Sequence, residues 1–263
     1  DALVAARLAD AGAVLLGKHA LLEFAMGGVD HNPHFGRTRN PWNLEHFPGG
    51  SSAGAGAAVS AGLAAGGLGT DTGGSIRQPA SYSGIVGLKP TNGLIPMDGI
   101  FPMSISCDTV GPMTRTVEDN ALLLDGMVAE PGRYAGALGH GGLSGLTIGV
   151  PHAWIERDAN ADVAAAVLAG VEALRDAGAA IVDVALAPGE EDYAAYQGIV
   201  FYEAAATHRP LLAEHIEDYG AHVRTRLEGS AAITPADNAA AVAQAQRLTA
   251  KMTEGMAGVD VLV

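Results

Sequence analysis

Two serines in this chain, Ser51 and Ser75, each directly follow a Gly-Gly pair. The segment between them is rich in glycine and alanine and carries almost no charge. Because glycine has no side chain, such a backbone bends sharply and approaches a ligand closely. Main-chain N–H groups that converge beside a serine stabilise the oxyanion that forms when its hydroxyl attacks a carbonyl. The pattern therefore indicates a site built from serine hydroxyls and main-chain amides.

The residue types around the serines predict the elements that hold them. Residues 54–64 are alanine-rich, with Val59 and Leu63 four positions apart, which predicts a buried helix. Residues 68–71 predict a short strand that ends in a tight turn at residues 72–75. A tight turn at a strand end is a place where a hydroxyl and several N–H donors meet around one point.

A third group suited to chemistry is Lys18, which follows the apolar residues 13–16. This run predicts a short buried strand. An ammonium group beside a buried strand is unusual because its desolvation is costly. A surface lysine at a strand end is the ordinary alternative, and the residue types alone favour it.

The glycine-rich stretch resembles the signature sequence of the amidase signature family, whose members are serine hydrolases with a Ser-Ser-Lys triad. The resemblance is dense over residues 49–91 and weakens after about Glu118. It is carried by five motifs, which are G-K at 17–18, F-A-M-G at 24–27, R-N-P-W-N at 39–43, G-T-D-T-G-G-S-I-R-Q-P at 69–79 and G-L-K-P-T at 87–91. Within this family the chain resembles an aryl acylamidase-like or urethanase-like member.

The resemblance implies cleavage of carboxylic amide C–N bonds through an acyl-enzyme, extending to anilides, carbamates or esters. It assigns Ser75 as nucleophile, Ser51 as proton shuttle after a cis Gly50-Ser51 peptide, and Lys18 as base. A base must be neutral, so we expect Lys18 in a water-poor setting that lowers its pKa. The implied oxyanion donors are the backbone N–H groups of Thr72, Gly73, Gly74 and Ser75.

Other residues receive supporting roles from the same resemblance. We expect Asp71 and Arg77 to pair and hold the turn. Substrate contacts are assigned to four residues, namely Met26, Ser52, Phe101 and Met103. Ordinary packing explains an apolar side chain in a loop equally well, and this alternative stays open.

Two rival functions remain. The A subunit of a tRNA-dependent glutamine amidotransferase uses the same triad to release ammonia from glutamine, with the help of a partner protein. The second rival is a non-enzymatic module that keeps the glycine-rich turn as an anion-binding nest. The presence of Lys18, Ser51 and Ser75 together disfavours the second rival. No G-x-x-x-x-G-K-[ST] phosphate-binding motif is present.

Composition excludes several classes of partner. With 15 Lys and Arg against 29 Asp and Glu, the formal charge is −14, which disfavours nucleic-acid binding. No apolar run reaches the ~18–20 residues of a membrane span.

Cys107 is the single cysteine, which fits a reducing compartment, and we expect a cytoplasmic protein. The expected partner is a small-molecule amide substrate, and we expect no cofactor. The sequence leaves the oligomeric state open.

Three histidines invite a metal site, but their pattern does not support one. His31, His34 and His46 lack the helical H-x-x-x-H spacing, and Pro33 interrupts the local geometry. We therefore expect no metal, and the sequence leaves the role of His31 open.

For the fold we expect an α/β protein with a mixed central sheet flanked by helices on both faces. Residues 1–263 are predicted to form a single, partial domain, truncated at both ends. Residues 17–91 carry the catalytic motifs, and 131–145 are a linker or surface excursion. Residues 146–263 are predicted to hold a β-α-β unit followed by helices.

The β-α-β unit is predicted from strands at 146–150 and 180–184 and a helix at 162–177. Two helices, at about 190–206 and 209–228, are predicted to follow it. Cap-like sequences at Thr116 and Thr234 predict two further helix starts. Residues 93–112 are predicted to be a loop and 259–263 a strand.

Overall fold

The structure is a computed structural model that describes residues 1–139 and 142–263. It is α/β, with strands flanked by helices, which confirms the predicted class. The described strands fall into two separate three-stranded sheets. The predicted excursion at 131–145 includes residues 140 and 141, which lie outside the described residues.

The helices of the described residues are, in chain order, α1 (Leu3–Asp10), α2 (Ala53–Ser60), α3 (Arg77–Ser83), α4 (Val117–Val128), α5 (His152–Asp158), α6 (Ala161–Asp176), α7 (Glu190–His215), α8 (Ala221–Ser230) and α9 (Pro235–Gly255). The strands are β1 (Gly66–Asp71), β2 (Val86–Gly87), β3 (Thr109–Thr114), β4 (Thr147–Val150), β5 (Ala180–Asp183) and β6 (Val261–Leu262). None of the described helices is both long and apolar enough to cross a membrane.

The chain divides into two compact units. The first comprises residues 1–138 and 200–233, and the second comprises 139–199 and 234–263. The expected single-domain organisation stays a prediction.

The first unit contains an antiparallel sheet in the order β1-β3-β2. Side chains from α1, α4 and β3 form its main apolar cluster, which contains Val4, Leu8, Ile95, Val110, Leu124, Met127 and Val128. A second cluster, formed by Ala55, Ile76, Ala80 and Met113, packs α2 and α3 against β3. This second cluster fixes the two helices whose N-terminal sides carry the two glycine-flanked serines.

The second unit contains a parallel sheet in the order β5-β4-β6. The predicted parallel pair is present, with Ile148 opposite Ile181. The predicted terminal strand is shorter than expected, since only Val261–Leu262 pair with β4.

Local capping accounts for two helix starts that the sequence predicted. The Thr116 hydroxyl accepts a hydrogen bond from the Asp119 amide at the start of α4. Thr234 and Asp237 form a reciprocal capping box at the start of α9, with Pro235 in its first turn. Each cap satisfies amides that lack a partner inside the helix.

Three predictions about elements are wrong. Residues 13–16 form no strand, and the predicted loop 93–112 ends early because β3 begins at Thr109. The predicted break near residue 207 is absent, since α7 continues through Pro210 to His215. Proline removes one backbone donor and crowds the carbonyl group four residues earlier, so it disfavours a helix interior without forbidding it.

Candidate active site

The first serine lies in the turn that leads into α2. The Gly50–Ser51 peptide is cis. The Leu22 amide donates a hydrogen bond to the Ser51 carbonyl oxygen at 3.0 Å, and the Ser52 amide donates to the Ser75 carbonyl oxygen at 3.2 Å. The backbone therefore brings the two glycine-flanked serines side by side.

Glycine makes one close approach in this turn possible. The Gly54 amide donates to the Ala20 carbonyl oxygen at 2.8 Å, so α2 begins directly against residues 20–22. A Cβ atom on Gly54 would lie 2.4 Å from that oxygen. A larger residue at position 54 would push apart the segment after Lys18 and the turn that carries Ser51.

The Ser51 hydroxyl is buried and has no hydrogen-bond partner among the described residues. The residue is only 1% exposed. Leaving a buried hydroxyl unpaired costs free energy, so native structures rarely contain one without a reason. Ser75 itself is half-buried, which leaves its side chain open to a ligand.

The turn that carries Ser75 is held by the fully buried carboxylate of Asp71. Oδ1 accepts from the Gly74 amide at 2.7 Å, and Oδ2 accepts from the Ile76 amide at 3.1 Å. Arg77 adds two side-chain hydrogen bonds, from Nε at 3.0 Å and from a terminal nitrogen at 2.9 Å. Burial alone would raise the pKa of Asp71, but these donors outweigh it and hold the pKa below its usual value.

This arrangement corrects one member of the expected oxyanion set. The Gly74 N–H points into the turn at Asp71 and is not available to a ligand. Among the described residues, the amides of Thr72, Gly73 and Ser75 donate to no protein acceptor. These three N–H groups therefore remain as candidate oxyanion donors.

Lys18 does not lie in the expected water-poor setting. Its residue is exposed, and its amine makes no hydrogen bond with the Ser51 hydroxyl. Residues 13–16 form no strand, and no strand within residues 1–139 and 142–263 pairs with them to cover the lysine. The backbone just after Lys18 nevertheless runs close to the first serine, because Ala20 bonds to Gly54 in the first turn of α2 and Leu22 bonds to Ser51.

The expected substrate contacts take different positions. Met26 is 0% exposed and Met103 is 7% exposed, so both pack inside the first unit. The Ser52 hydroxyl donates to the Thr70 carbonyl oxygen and accepts from the Thr70 amide, both at 3.2 Å, which ties α2 to β1. These two bonds use the single donor and one of the two acceptor positions of the hydroxyl, and Ser52 is 6% exposed. Phe101 alone of the four is about half exposed, at 49%.

The histidines that suggested a metal site make other contacts. His34 bonds to the buried Glu23 through Nε2 at 3.2 Å, and His31 bonds to Asp30 at 3.2 Å. No cluster of metal-binding side chains occurs within residues 1–139 and 142–263.

One buried histidine was not predicted from the sequence. His208 is 0% exposed, and its Nδ1 lies 2.8 Å from the Tyr219 hydroxyl. Its ring packs edge-on against Phe24 and Phe101. Burial lowers the pKa of His208 and raises that of Tyr219. No local pattern marks His208, because its contacts come from distant parts of the chain.

Comparison with known proteins now identifies the family. The family model described as Amidase matches residues 1–263. The chain belongs to the amidase signature family. The chain is 43% identical over 249 residues to the A subunit of the glutamyl-tRNA(Gln) amidotransferase of Halorhodospira halophila, covering 87% of this chain and 51% of that protein. The chain therefore spans about half the length of this relative.

Two solved structures resemble this chain closely. One, described as the crystal structure of an amidase, superposes with a TM-score of 0.91 at 36% identity, covering 100% of this chain and 59% of that one. The other is the A subunit of the glutamyl-tRNA(Gln) amidotransferase from Thermotoga maritima, with a TM-score of 0.80 at 34% identity and coverage of 100% and 60%. Both share the fold of this chain.

Proposed function

We propose that this chain is the catalytic part of an amidotransferase A subunit of the glutamyl-tRNA(Gln) kind. Its reaction is the release of ammonia from the side-chain amide of glutamine. The relatives that carry this name support the proposal, and they favour it over the free-standing amidase that the sequence first suggested. In this role the protein works with partner subunits that accept the ammonia.

The buried, unpartnered Ser51 hydroxyl beside the Ser75 backbone is the observation that carries the proposed chemistry. Ser75 Oγ attacks the amide carbon and passes its proton to Ser51, whose own proton moves to a neutral Lys18. The resulting oxyanion is stabilised by the free amides of the Ser75 turn. Collapse of this intermediate expels ammonia, which takes the proton back through Ser51.

Water then reverses these steps. It attacks the acyl carbon while Ser51 and Lys18 accept its proton, and the Ser75 oxygen leaves as a hydroxyl. The step requires the Lys18 side chain to turn inward from its exposed position. Its backbone, next to Ala20, already lies against the turn before α2.

A free-standing amide hydrolase is the second candidate, with anilides, carbamates or esters as further substrates. It is favoured by the close superposition on a solved amidase. The site itself also supports this candidate. The Ser75 turn acts on the carbonyl group, which amides, anilides, carbamates and esters share, and not on the leaving group.

The test is labelling and turnover with named substrates. We expect a fluorophosphonate probe to modify Ser75, and Ser75→Ala to lower turnover by at least about 10⁴-fold. Ser81→Ala is the matched control, because Ser81 is exposed on α3 and outside the site. A Ser75→Ala variant with wild-type turnover would remove the assignment of the nucleophile.

The substrate panel separates the two candidates. Ammonia release from glutamine, measured with and without partner subunits, is expected to exceed hydrolysis of anilides and carbamates. The opposite order would favour the free-standing hydrolase. Absence of both turnover and labelling would favour a non-enzymatic module.

A further inference from the structure

Asp108 is a buried carboxylate that the proposed chemistry does not use. It is 7% exposed and lies just before β3. Oδ1 accepts a hydrogen bond from the Thr72 hydroxyl at 2.6 Å. Oδ2 accepts from the amides of Met103 and Ser104 at 2.8 and 2.9 Å. Hydrogen bonds to an ionised carboxylate are short and strong, so Asp108 holds two loops together.

The first of these loops is the Ser75 turn. Thr72 opens this turn directly after β1, and its amide is one of the three free donors. The Asp71 carboxylate holds the far side of the turn through Gly74 and Ile76. The candidate donors at Thr72 and Gly73 therefore lie between two anchored points, one at Asp71 and the other at Asp108.

The second loop is the segment that contains Ser104 and Ser106. The Ser104 hydroxyl donates to Glu203 Oε2 at 2.6 Å, and the Ser106 amide donates to the same oxygen at 3.0 Å. The Ser106 hydroxyl donates to the other Glu203 oxygen. Burial works to raise the pKa of Glu203, but these bonds outweigh it and lower the pKa, which keeps the carboxylate charged.

We propose that Asp108 is a positioning residue for the oxyanion turn. It fixes the Thr72 end of the turn to the Ser104 loop, and Glu203 anchors that loop to α7. The inference rests on the proposed acyl chemistry at Ser75. Donors that stabilise a transition state must be fixed before the reaction, so loosening Asp108 lowers kcat more than it changes KM.

The test compares Asp108→Asn with Asp98→Asn in the full chain. Asparagine keeps the size but turns one oxygen into a donor that faces existing donors. Asp98 is an exposed residue in the same loop, so its variant is the matched control. Turnover of glutamine is measured per site labelled by fluorophosphonate, so that unfolded protein does not enter the rate. We expect kcat to fall about 10- to 100-fold, with KM changed less than about twofold.

A second variant keeps the test valid if Asp108→Asn does not fold. Thr72→Val removes only the hydroxyl that bonds to Asp108. We expect it to lower kcat by a similar factor, and the double variant to lose no more than either single one, because both break the same link. Fully multiplicative losses would contradict the link.

Failure of this inference and failure of the proposed function give different results. A wild-type protein that neither labels at Ser75 nor turns over glutamine removes the proposed function. A wild-type protein that does both, with unchanged kcat in Asp108→Asn and Thr72→Val, overturns only the positioning role.

Discussion

The turn that carries Ser75 and the segment that precedes Lys18 are built in opposite ways. In the turn, one buried carboxylate accepts hydrogen bonds from Gly74, Ile76 and Arg77. In residues 13–18, the side chains of Val14, Leu15 and Leu16 are 81%, 58% and 75% exposed. The amides of residues 14–18 donate to no acceptor among the described residues.

The difference shows how each region depends on its surroundings. The hydrogen bonds of the Asp71 carboxylate join residues at most six positions apart, so this part of the turn depends on its own sequence, whereas its Thr72 end is held by the distant Asp108. An extended apolar segment needs a neighbouring strand to become part of a sheet. Among the described residues the segment has no such neighbour, and its apolar pattern alone does not produce a strand.

A large effect on stability is expected from Asp71→Asn. The change removes the charge that pairs with Arg77 and places an amide donor among N–H groups that need an acceptor. We expect a loss of about 3 kcal/mol, near the lower end for a broken buried pair because Arg77 stays partly in water. Urea unfolding measures it. Asp10→Asn, an exposed control that removes the same charge, is expected to have little effect.

A loss below about 1 kcal/mol for Asp71→Asn would contradict the view that one carboxylate holds the turn. If Asp71→Asn loses the full stability of about 3 kcal/mol but Ser75 is still labelled, the turn forms without the Asp71 carboxylate.

The second prediction concerns acid stability. The pKa of Asp71 is lower in the folded chain than its ordinary value of 3.8. Its contribution to stability is therefore complete above the unfolded pKa and is lost as the pH falls through the folded pKa. We expect the stability of Asp71→Asn to fall less steeply than that of the wild type below about pH 4. Urea midpoints between neutral pH and acid check this, and parallel curves would contradict it.

The same contrast, between contacts close in sequence and contacts between distant residues, explains which features can be predicted from the sequence. The helix starts at Thr116 and Thr234 depend on residues close in sequence, and residue type predicts them. Ser104 and Ser106 lie 97 to 99 positions from Glu203, to which both bond, and no local pattern marks such a pair. Residue types alone favour a surface position for Lys18, and Lys18 is exposed; the water-poor setting that the resemblance implies depends on what lies beside residues 13–16.

The smallest effect is expected at the exposed segment, where one substitution can be made in two settings. Leu15 is 58% exposed and Leu8 is 4% exposed. In the 263-residue chain, we expect Leu15→Ala to change the free energy of unfolding by less than about 0.5 kcal/mol. Leu8→Ala removes the same atoms from the core of the first unit and is expected to cost about 2–5 kcal/mol. A loss above about 1.5 kcal/mol at Leu15 would mean that this segment packs against another surface in solution, and Lys18 would then lie beside a buried strand after all.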